Sequence, residues 1–303
     1  MSVDLIGSTA FKNRIGAADE YAGGHPWIGE FARFYASFSN FLVRGANPLL
    51  KQEGAEPILF KAIGDELVFS ALVKSGEHIA LLMEAFRDAL CAYYRQHLVG
   101  TRLGLKGTAW LAGFPINNAE VRLPNGAVDF IGPSIDAGFR VAKFSSLSMI
   151  ALSVDLALVL ALVRPNRFEF VFHALESMKG VLGGNPYPIF GLDSGLRTAE
   201  EELTGEGPTN VRSEKVSAYA TRFFAELAPS WLFAPYLSDD ERFKAKPAHH
   251  DEILALWERE EAKTQVGLDG AEASLGSVDT GAADARLLAE AIRIKAQPAQ
   301  RND

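Results

Sequence analysis

Two aspartates stand beside segments that could bind a metal-bound triphosphate. Asp4 ends a short predicted strand and precedes the small residues Gly7-Ser8-Thr9, where a helix would begin. Carboxylate oxygens bind hard divalent cations, and the free N–H groups of a helix N-terminus bind phosphate oxygens. The same pattern is also typical of an ordinary helix N-cap, which is the favoured interpretation of this motif alone.

A second segment with a possible metal-binding residue is ILFKAIGDELVFSALV, residues 58–73, which contains Asp65. Two β-rich runs flank Gly64-Asp65, and this arrangement predicts a hairpin. Gly-Asp is also common in turns that carry no chemistry. If Asp4 and Asp65 come from adjacent strands, their carboxylates converge and could hold two divalent ions. Glu66, the next residue, is expected to point to the other face in a structural role.

A third polar group, Asp136 and Arg140, lies on a predicted helix that Gly132-Pro133-Ser134 opens. Proline suits the first turn of a helix. The spacing of four residues places Asp136 and Arg140 on one helix face. They could form a surface ion pair, or they could belong to a site that stabilises negative charge.

The elements that must position these residues predict an α+β domain over residues 1–193, because strands alternate irregularly with amphipathic helices. The predicted elements are a strand at 1–6, a helical region containing Trp27, Phe31, Phe34 and Phe38, the hairpin at 58–73, a helix at 77–97, a strand at 101–114, the helix after 132, a strand at 147–152, a buried helix at 154–163, and strands at 168–175 and 188–192.

The remainder, residues 194–303, predicts a helical C-terminal extension. Helical patterns cover 214–227, 251–263 and 282–295, and a Gly/Ala/Ser/Asp-rich stretch at 267–283 is typical of a flexible linker.

The composition narrows the class of partner. The 303 residues carry a net charge of −8, so we expect no nucleic-acid surface. No apolar run approaches the roughly 20 residues of a membrane span, and the first residues lack the pattern of a signal peptide. We therefore expect a cytoplasmic protein. The lone cysteine, Cys91, excludes an intrachain disulfide and is typical of a buried apolar position.

Five segments occur in the order and spacing of class III nucleotidyl cyclase domains, which residues 1–193 resemble. They are VDLIGST, FKAIGDELVFS, DFIGPSIDAGFRVA, SMIALSVDLA and MKGVLGGNPYPIFGLD. The resemblance implies a ferredoxin-like core and a homodimer with active sites shared between the subunits. It also implies attack of a ribose 3′-hydroxyl on the α-phosphate of a nucleoside triphosphate, with pyrophosphate as the leaving group.

The resemblance further implies a role for each matching residue, including ligands for two divalent ions, Mn²⁺ or Mg²⁺. The implied roles are metal binding for Asp4, Asp65 and the backbone carbonyl of Leu5; phosphate binding for Gly7, Ser8, Thr9 and Lys179; base recognition for Lys61 and Asp129; ribose orientation for Asp136; and stabilisation of the reacting phosphate for Arg140.

Two positions depart from the family pattern. Asp136 replaces an asparagine, so an acceptor stands where an amide could donate. Ala109 stands where many adenylate cyclases have an arginine, with Lys106 nearby. A freestanding cyclase with a divergent pocket resembles the pyrimidine cyclases of Pycsar anti-phage systems. That resemblance implies UTP as the favoured substrate, cyclic UMP as the product, and a separate effector that responds to the product.

Two alternatives stay open. Lys61 and Asp129 favour an adenylate cyclase that makes cyclic AMP. The short first strand and the missing arginine favour a catalytically degenerate domain that only binds a nucleotide or a partner.

Overall fold

The computed structural model describes residues 1–13, 26–123, 126–227, 232–247, 250–256 and 258–259. Its strands are β1 (Ser2–Ile6), β2 (Ile58–Ile63), β3 (Glu66–Ser70), β4 (Gly104–Ala109), β5 (Ala119–Arg122), β6 (Val128–Ile131), β7 (Met149–Leu152), β8 (Phe170–Ser177), β9 (Pro186–Asp193) and β10 (Asn210–Val211). Its helices are α1 (Ser8–Lys12), α2 (Pro26–Gly45), α3 (Pro48–Gln52), α4 (Gly76–Tyr93), α5 (Pro133–Val141), α6 (Val154–Val163), α7 (Ala199–Thr204) and α8 (Ser213–Glu226).

The first half of the chain forms a ferredoxin-like core, as predicted. Strands β1 to β4 lie in the order β4-β1-β3-β2, and each adjacent pair is antiparallel. Helix α2 connects β1 to the β2–β3 hairpin, and α4 connects that hairpin to β4, which completes a β-α-β-β-α-β unit. The sheet continues from β4 through the parallel strand β7 to β9, β8 and β10, so the α+β prediction is confirmed.

One face of the core sheet is apolar and packs on α2 and α4. Val3 and Leu5 of β1 point to this face and are almost fully buried. Phe34 and Phe38 of α2 have no exposed surface, which confirms that the aromatic positions of this helix face the core. A methyl group added to Gly107 of β4 would lie 2.7 Å from the Leu90 side chain of α4, so strand and helix approach closely. The alternation along β1 leaves Asp4 on the opposite face.

The strand predicted at 1–6 is confirmed as β1. Asp4 lies inside this strand and not at its end, because Leu5 and Ile6 continue the ladder opposite Leu105 and Gly104. Strand β4 is shorter than the predicted 101–114: before it, the Thr101 hydroxyl accepts a hydrogen bond from the Leu103 N–H and stabilises a bend.

The chain divides into two compact units. The first comprises Met1–Ala119 and Ile131–Ala248, and within it α8 packs on α6 and β10 extends the sheet. The second comprises Glu120–Phe130 and His249–Asp303. Residues 250–256 are helical, near the predicted start at 251, whereas the predicted linker and last helix lie outside the described residues. None of the described helices combines the length and apolar character that crossing a bilayer requires.

Candidate active site

The polar face of the core sheet carries a row of three charged side chains. Asp4 on β1 lies directly opposite Lys106 on β4 and directly opposite Glu66 on β3. Residues opposed in this way point to the same face of a sheet. All three side chains line a cleft together with Phe139 and Lys143, which belong to α5 and to the turn after it. This arrangement places two carboxylates and two ammonium groups around one concave surface.

The expected orientation of Glu66 is therefore wrong. The prediction applied the alternation of strand residues to the step from Asp65 to Glu66. Asp65, however, lies in the predicted two-residue turn with Gly64, between the paired residues Ile63 and Glu66, where strand alternation does not hold. The alternation begins only at Glu66, and this places its carboxylate on the same face as that of Asp4.

Asp4 forms an ion pair across the strands. The distance from Lys106 Nζ to Asp4 Oδ2 is 3.0 Å, and the two side chains are 29% and 27% exposed. Burial raises the pKa of Asp4, and the charge of Asp65 raises it further, while the Lys106 ammonium lowers it in part. Burial also raises the pKa of Glu66, with the charges of Asp4 and Asp65 acting in the same direction. The three carboxylates thus repel one another in a partly desolvated place.

Asp65 is held beside Asp4 by backbone contacts at the hairpin tip. Gly64 adopts a φ of 64°, which glycine provides without strain in a tight hairpin turn. The Leu5 N–H lies 3.4 Å from the Asp65 carbonyl oxygen and donates to it, and the Tyr35 hydroxyl of α2 donates to the Gly64 carbonyl. The predicted hairpin is confirmed, and it brings the charge of Asp65 within range of Asp4.

The donor set fits a divalent ion that shares its ligands with a substrate. Mg²⁺ is usually bound by one or two carboxylates and by substrate phosphates, with water completing its octahedron. Asp4 and Asp65 offer two such carboxylates. Within the part of the chain that the structure describes, no group of three His, Cys, Asp or Glu side chains is placed to hold an ion alone. Water, a backbone carbonyl or phosphate oxygens would complete the coordination of such an ion.

The segment Gly7-Ser8-Thr9 begins the five-residue helix α1. Gly7 is the N-cap with a φ of 81°, and a Cβ added there would lie 2.9 Å from the Arg102 carbonyl oxygen. Only glycine suits both conditions. No described side chain caps this helix, so the alternative role of Asp4 as a helix cap is wrong. Ser8 is buried and Thr9 is exposed.

Helix α5 brings Arg140 to the loop after β8. The Arg140 Nη1 donates to the backbone carbonyl of Asp136 at 3.1 Å, a contact that leaves the Asp136 carboxylate out. A Cβ added to Gly180 would lie 3.4 Å from the Arg140 Nη2, so this guanidinium lies against the residue that follows Lys179. Asp136 and Lys179 are exposed. The fold thus brings the guanidinium of Arg140 close to the loop that carries Lys179, a second cationic residue.

The two predicted base-recognition residues lie in different units of the chain. Lys61 on β2 has its ammonium 5.2 Å from the centre of the Phe60 ring and 5.9 Å from that of Phe139. These distances are typical of cation–π contacts. Asp129 lies on β6 in the second unit, where its Oδ1 accepts the Phe130 N–H at 2.8 Å.

The sequence interpretation gave no role to three residues of the cleft: Lys106, Lys143 and Phe139. The signal for Lys106 is the ladder register, which pairs it with Asp4. Ala109, the position of the missing arginine, is 1% exposed and offers no side-chain donor.

Comparisons with known proteins gave structural similarities alone. No protein-family model and no curated protein matches the chain. The chain is similar to the adenylyl cyclase CyaB from P. aeruginosa, with 13% identity over 63% of this chain and 90% of that one and a TM-score of 0.43. It is similar to the guanylate cyclase domain of RhGC from Catenaria anguillulae in complex with GTP, with 10% identity over 65% and 94% of the two chains and a TM-score of 0.41. Adenylate cyclases from Trypanosoma brucei show 12% identity over 65% and 90%, with a TM-score of 0.40. These low values leave the function to be argued from the residues of this chain.

Proposed function

We propose that this protein is a nucleotidyl cyclase, which converts a nucleoside triphosphate into a 3′,5′-cyclic nucleotide and pyrophosphate. The observation that carries the proposal is the convergence of Asp4 and Asp65. They are 61 positions apart in the sequence, yet β1 and the hairpin tip hold them within electrostatic range of each other. Paired carboxylates beside a polar cleft are the arrangement that metal-assisted attack on a phosphate requires.

Metal binding, phosphate binding and charge stabilisation are assigned to different residues of the site. Asp4 and Asp65 would hold divalent ions, Mn²⁺ or Mg²⁺, whose charge activates the attacking 3′-hydroxyl and neutralises the triphosphate. The backbone of Gly7, Ser8 and Thr9 would face the phosphates. Arg140 would stabilise negative charge on the reacting phosphate.

Three further assignments complete the site. The backbone carbonyl of Leu5 would add a metal ligand, and Lys179 would bind phosphate beside Arg140. Asp136 would orient the ribose. A homodimer would bring these groups of the two subunits into shared sites.

The finer proposal concerns the base. Lys61 and Asp129 would contact it, and UTP is the favoured substrate, with cyclic UMP as a signal for a separate effector in anti-phage defence. The departures at Asp136 and Ala109 from the common adenylate cyclase pattern support this choice. The Lys61 ammonium lies 5.9 Å from the centre of the Phe139 ring, and we propose that this cation and this ring take part together in selecting the base. ATP is the alternative substrate.

A second candidate is a nucleotide-binding domain without catalysis. The ion pair between Lys106 and Asp4 favours this second candidate, because the Lys106 ammonium contacts a carboxylate that a metal ion would need as a ligand.

Incubation of the protein with each of the four ribonucleoside triphosphates separates these candidates. With Mn²⁺ or Mg²⁺ present, mass spectrometry of the products should show cyclic UMP and pyrophosphate from UTP. Cyclic AMP from ATP alone would exclude the pyrimidine assignment. Nucleotide binding without any cyclic product would favour the second candidate.

A further inference from the structure

Asp4 lies between the ammonium of Lys106 and the carboxylate of Glu66, and both charges affect how strongly Asp4 can bind a metal ion. Along the sheet the order is Lys106, Asp4 and Glu66, with one residue from each of three adjacent strands. Backbone pairing determines this order, so small side-chain movements cannot remove it. The charge next to Asp4 is consequently a property of the fold.

The ammonium of Lys106 neutralises Asp4 in the absence of an ion. It contacts Oδ2 at 3.0 Å, and both partners are less than one third exposed, which limits screening by water. Its charge also acts on Glu66. A divalent ion that binds Asp4 meets this ammonium within a few ångströms, where like charges repel. The ion must therefore displace the ammonium or bind beside it at a cost.

We propose that Lys106 is a built-in counter-cation that competes with divalent ions for Asp4 and weakens their binding to the free protein. The proposal rests on the proposed function in one respect: it takes Asp4 as a metal ligand. The chemistry concerned is binding of a hard divalent cation, with Mn²⁺ as the probe. Lys106 is a residue that positions and neutralises Asp4.

Removal of the ammonium should strengthen Mn²⁺ binding. Ion pairs with partly exposed partners typically favour an equilibrium by up to about fivefold. The loss of repulsion between Lys106 and the ion acts in the same direction. For Lys106→Met we expect a decrease of about fivefold or more in the dissociation constant for Mn²⁺. Lys106→Arg keeps the charge and should stay within about twofold of the wild type.

The experiment is a titration of the nucleotide-free, full-length protein with Mn²⁺, in which electron paramagnetic resonance measures the free ion. Lys143→Met is the matched control, because Lys143 lines the same cleft whereas the ion pair of Asp4 is made by Lys106. It should change the dissociation constant by less than about twofold. In an Asp4→Asn background, the gain from Lys106→Met should be much smaller, because only the repulsion between the ammonium and the ion is then relieved. Circular dichroism checks that each variant is folded.

Four results would overturn the inference: unchanged or weaker Mn²⁺ binding in Lys106→Met, an equal gain in Lys143→Met, an undiminished gain with Asp4→Asn, or no Mn²⁺ binding by either wild type or Lys106→Met. Cyclase activity is not part of the readout. Tighter Mn²⁺ binding in a protein that converts no nucleotide would therefore remove the proposed function and leave the inference standing.

Discussion

The position of α5 depends on close packing between Gly138 and Trp110, and Gly138→Ala should displace this helix. A Cβ added to Gly138 would lie 2.3 Å from Cδ2 and 2.4 Å from Cγ of the indole. Carbon atoms in contact normally stay about 3.5–4.0 Å apart. Either the ring or the helix must move by about 1 Å. Asp136 and Arg140 lie on the same helix and would move with it.

The expected cost combines two opposing terms. Overpacking of a core contact destabilises a protein by about 1–3 kcal/mol. Alanine in a helix interior returns about 1 kcal/mol relative to glycine. The net loss for Gly138→Ala is then up to about 2 kcal/mol, which corresponds to a decrease of up to about 8 °C in melting temperature. A displacement of about 1 Å at catalytic groups can reduce turnover by about 100-fold.

Thermal unfolding followed by circular dichroism measures the first effect, and cyclic nucleotide formation measures the second. Gly29→Ala in α2 is the matched control, because a Cβ added there meets no atom within 4 Å. That variant should gain about 0.5–1 kcal/mol. In a Trp110→Leu background the obstructing ring is gone, and Gly138→Ala should cost much less.

The reasoning would be refuted if Gly138→Ala raised the melting temperature as Gly29→Ala should. An undiminished cost in the Trp110→Leu background would refute it as well, since the clash would then lie elsewhere.

Two further variants test other contacts. The pKa of Asp240 is about 2, below its ordinary value of 3.8, because the Arg242 guanidinium donates hydrogen bonds to its carboxylate. The backbone N–H groups of Arg242 and Gly76 donate to the same carboxylate and lower the pKa further. Asp240→Asn should therefore lower the free energy of unfolding by about 2 kcal/mol at neutral pH. Because the folded pKa is depressed, the difference from wild type in urea unfolding should shrink as the pH falls from about 4 toward 2, and a pH-independent difference would contradict this. Gly7→Ala should cost about 1–2 kcal/mol, because alanine disfavours the left-handed conformation and its Cβ would meet the Arg102 carbonyl; an unchanged melting temperature would contradict this.

Local patterns predicted the elements wherever their boundaries carry clear signals. The buried helix predicted at 154–163 has those bounds, because its apolar run begins after Ser153 and stops at Arg164. Gly64-Asp65 between β-rich runs predicted the hairpin for a similar reason. The ferredoxin-like order of strands followed from the resemblance of ordered motifs, and the ladders show it independently.

Contacts between distant segments could not be predicted from local patterns. The row of Lys106, Asp4 and Glu66 depends on the ladder register, and the face of Glu66 depends on whether Asp65 belongs to the strand or the turn. The hydrogen bond from Gly76 to Asp240 joins residues 164 positions apart, and neither segment carries a motif for it. Strand pairing therefore decides which charges surround Asp4, whereas the chemistry expected of Asp4 came from the ordered motifs that resemble cyclase domains.

The most direct test of the central claim is the rate of cyclic nucleotide formation by Asp65→Asn, with Mn²⁺ and the best of the four triphosphates. Asparagine keeps the size of the side chain and removes its charge. The hydrogen bond from the Leu5 N–H to the carbonyl oxygen of residue 65 can remain. If Asp4 and Asp65 act together on the metal-bound triphosphate, the folded variant should lose at least about 100-fold in rate. Cyclic product formed by Asp65→Asn at the wild-type rate would contradict the metal-assisted mechanism.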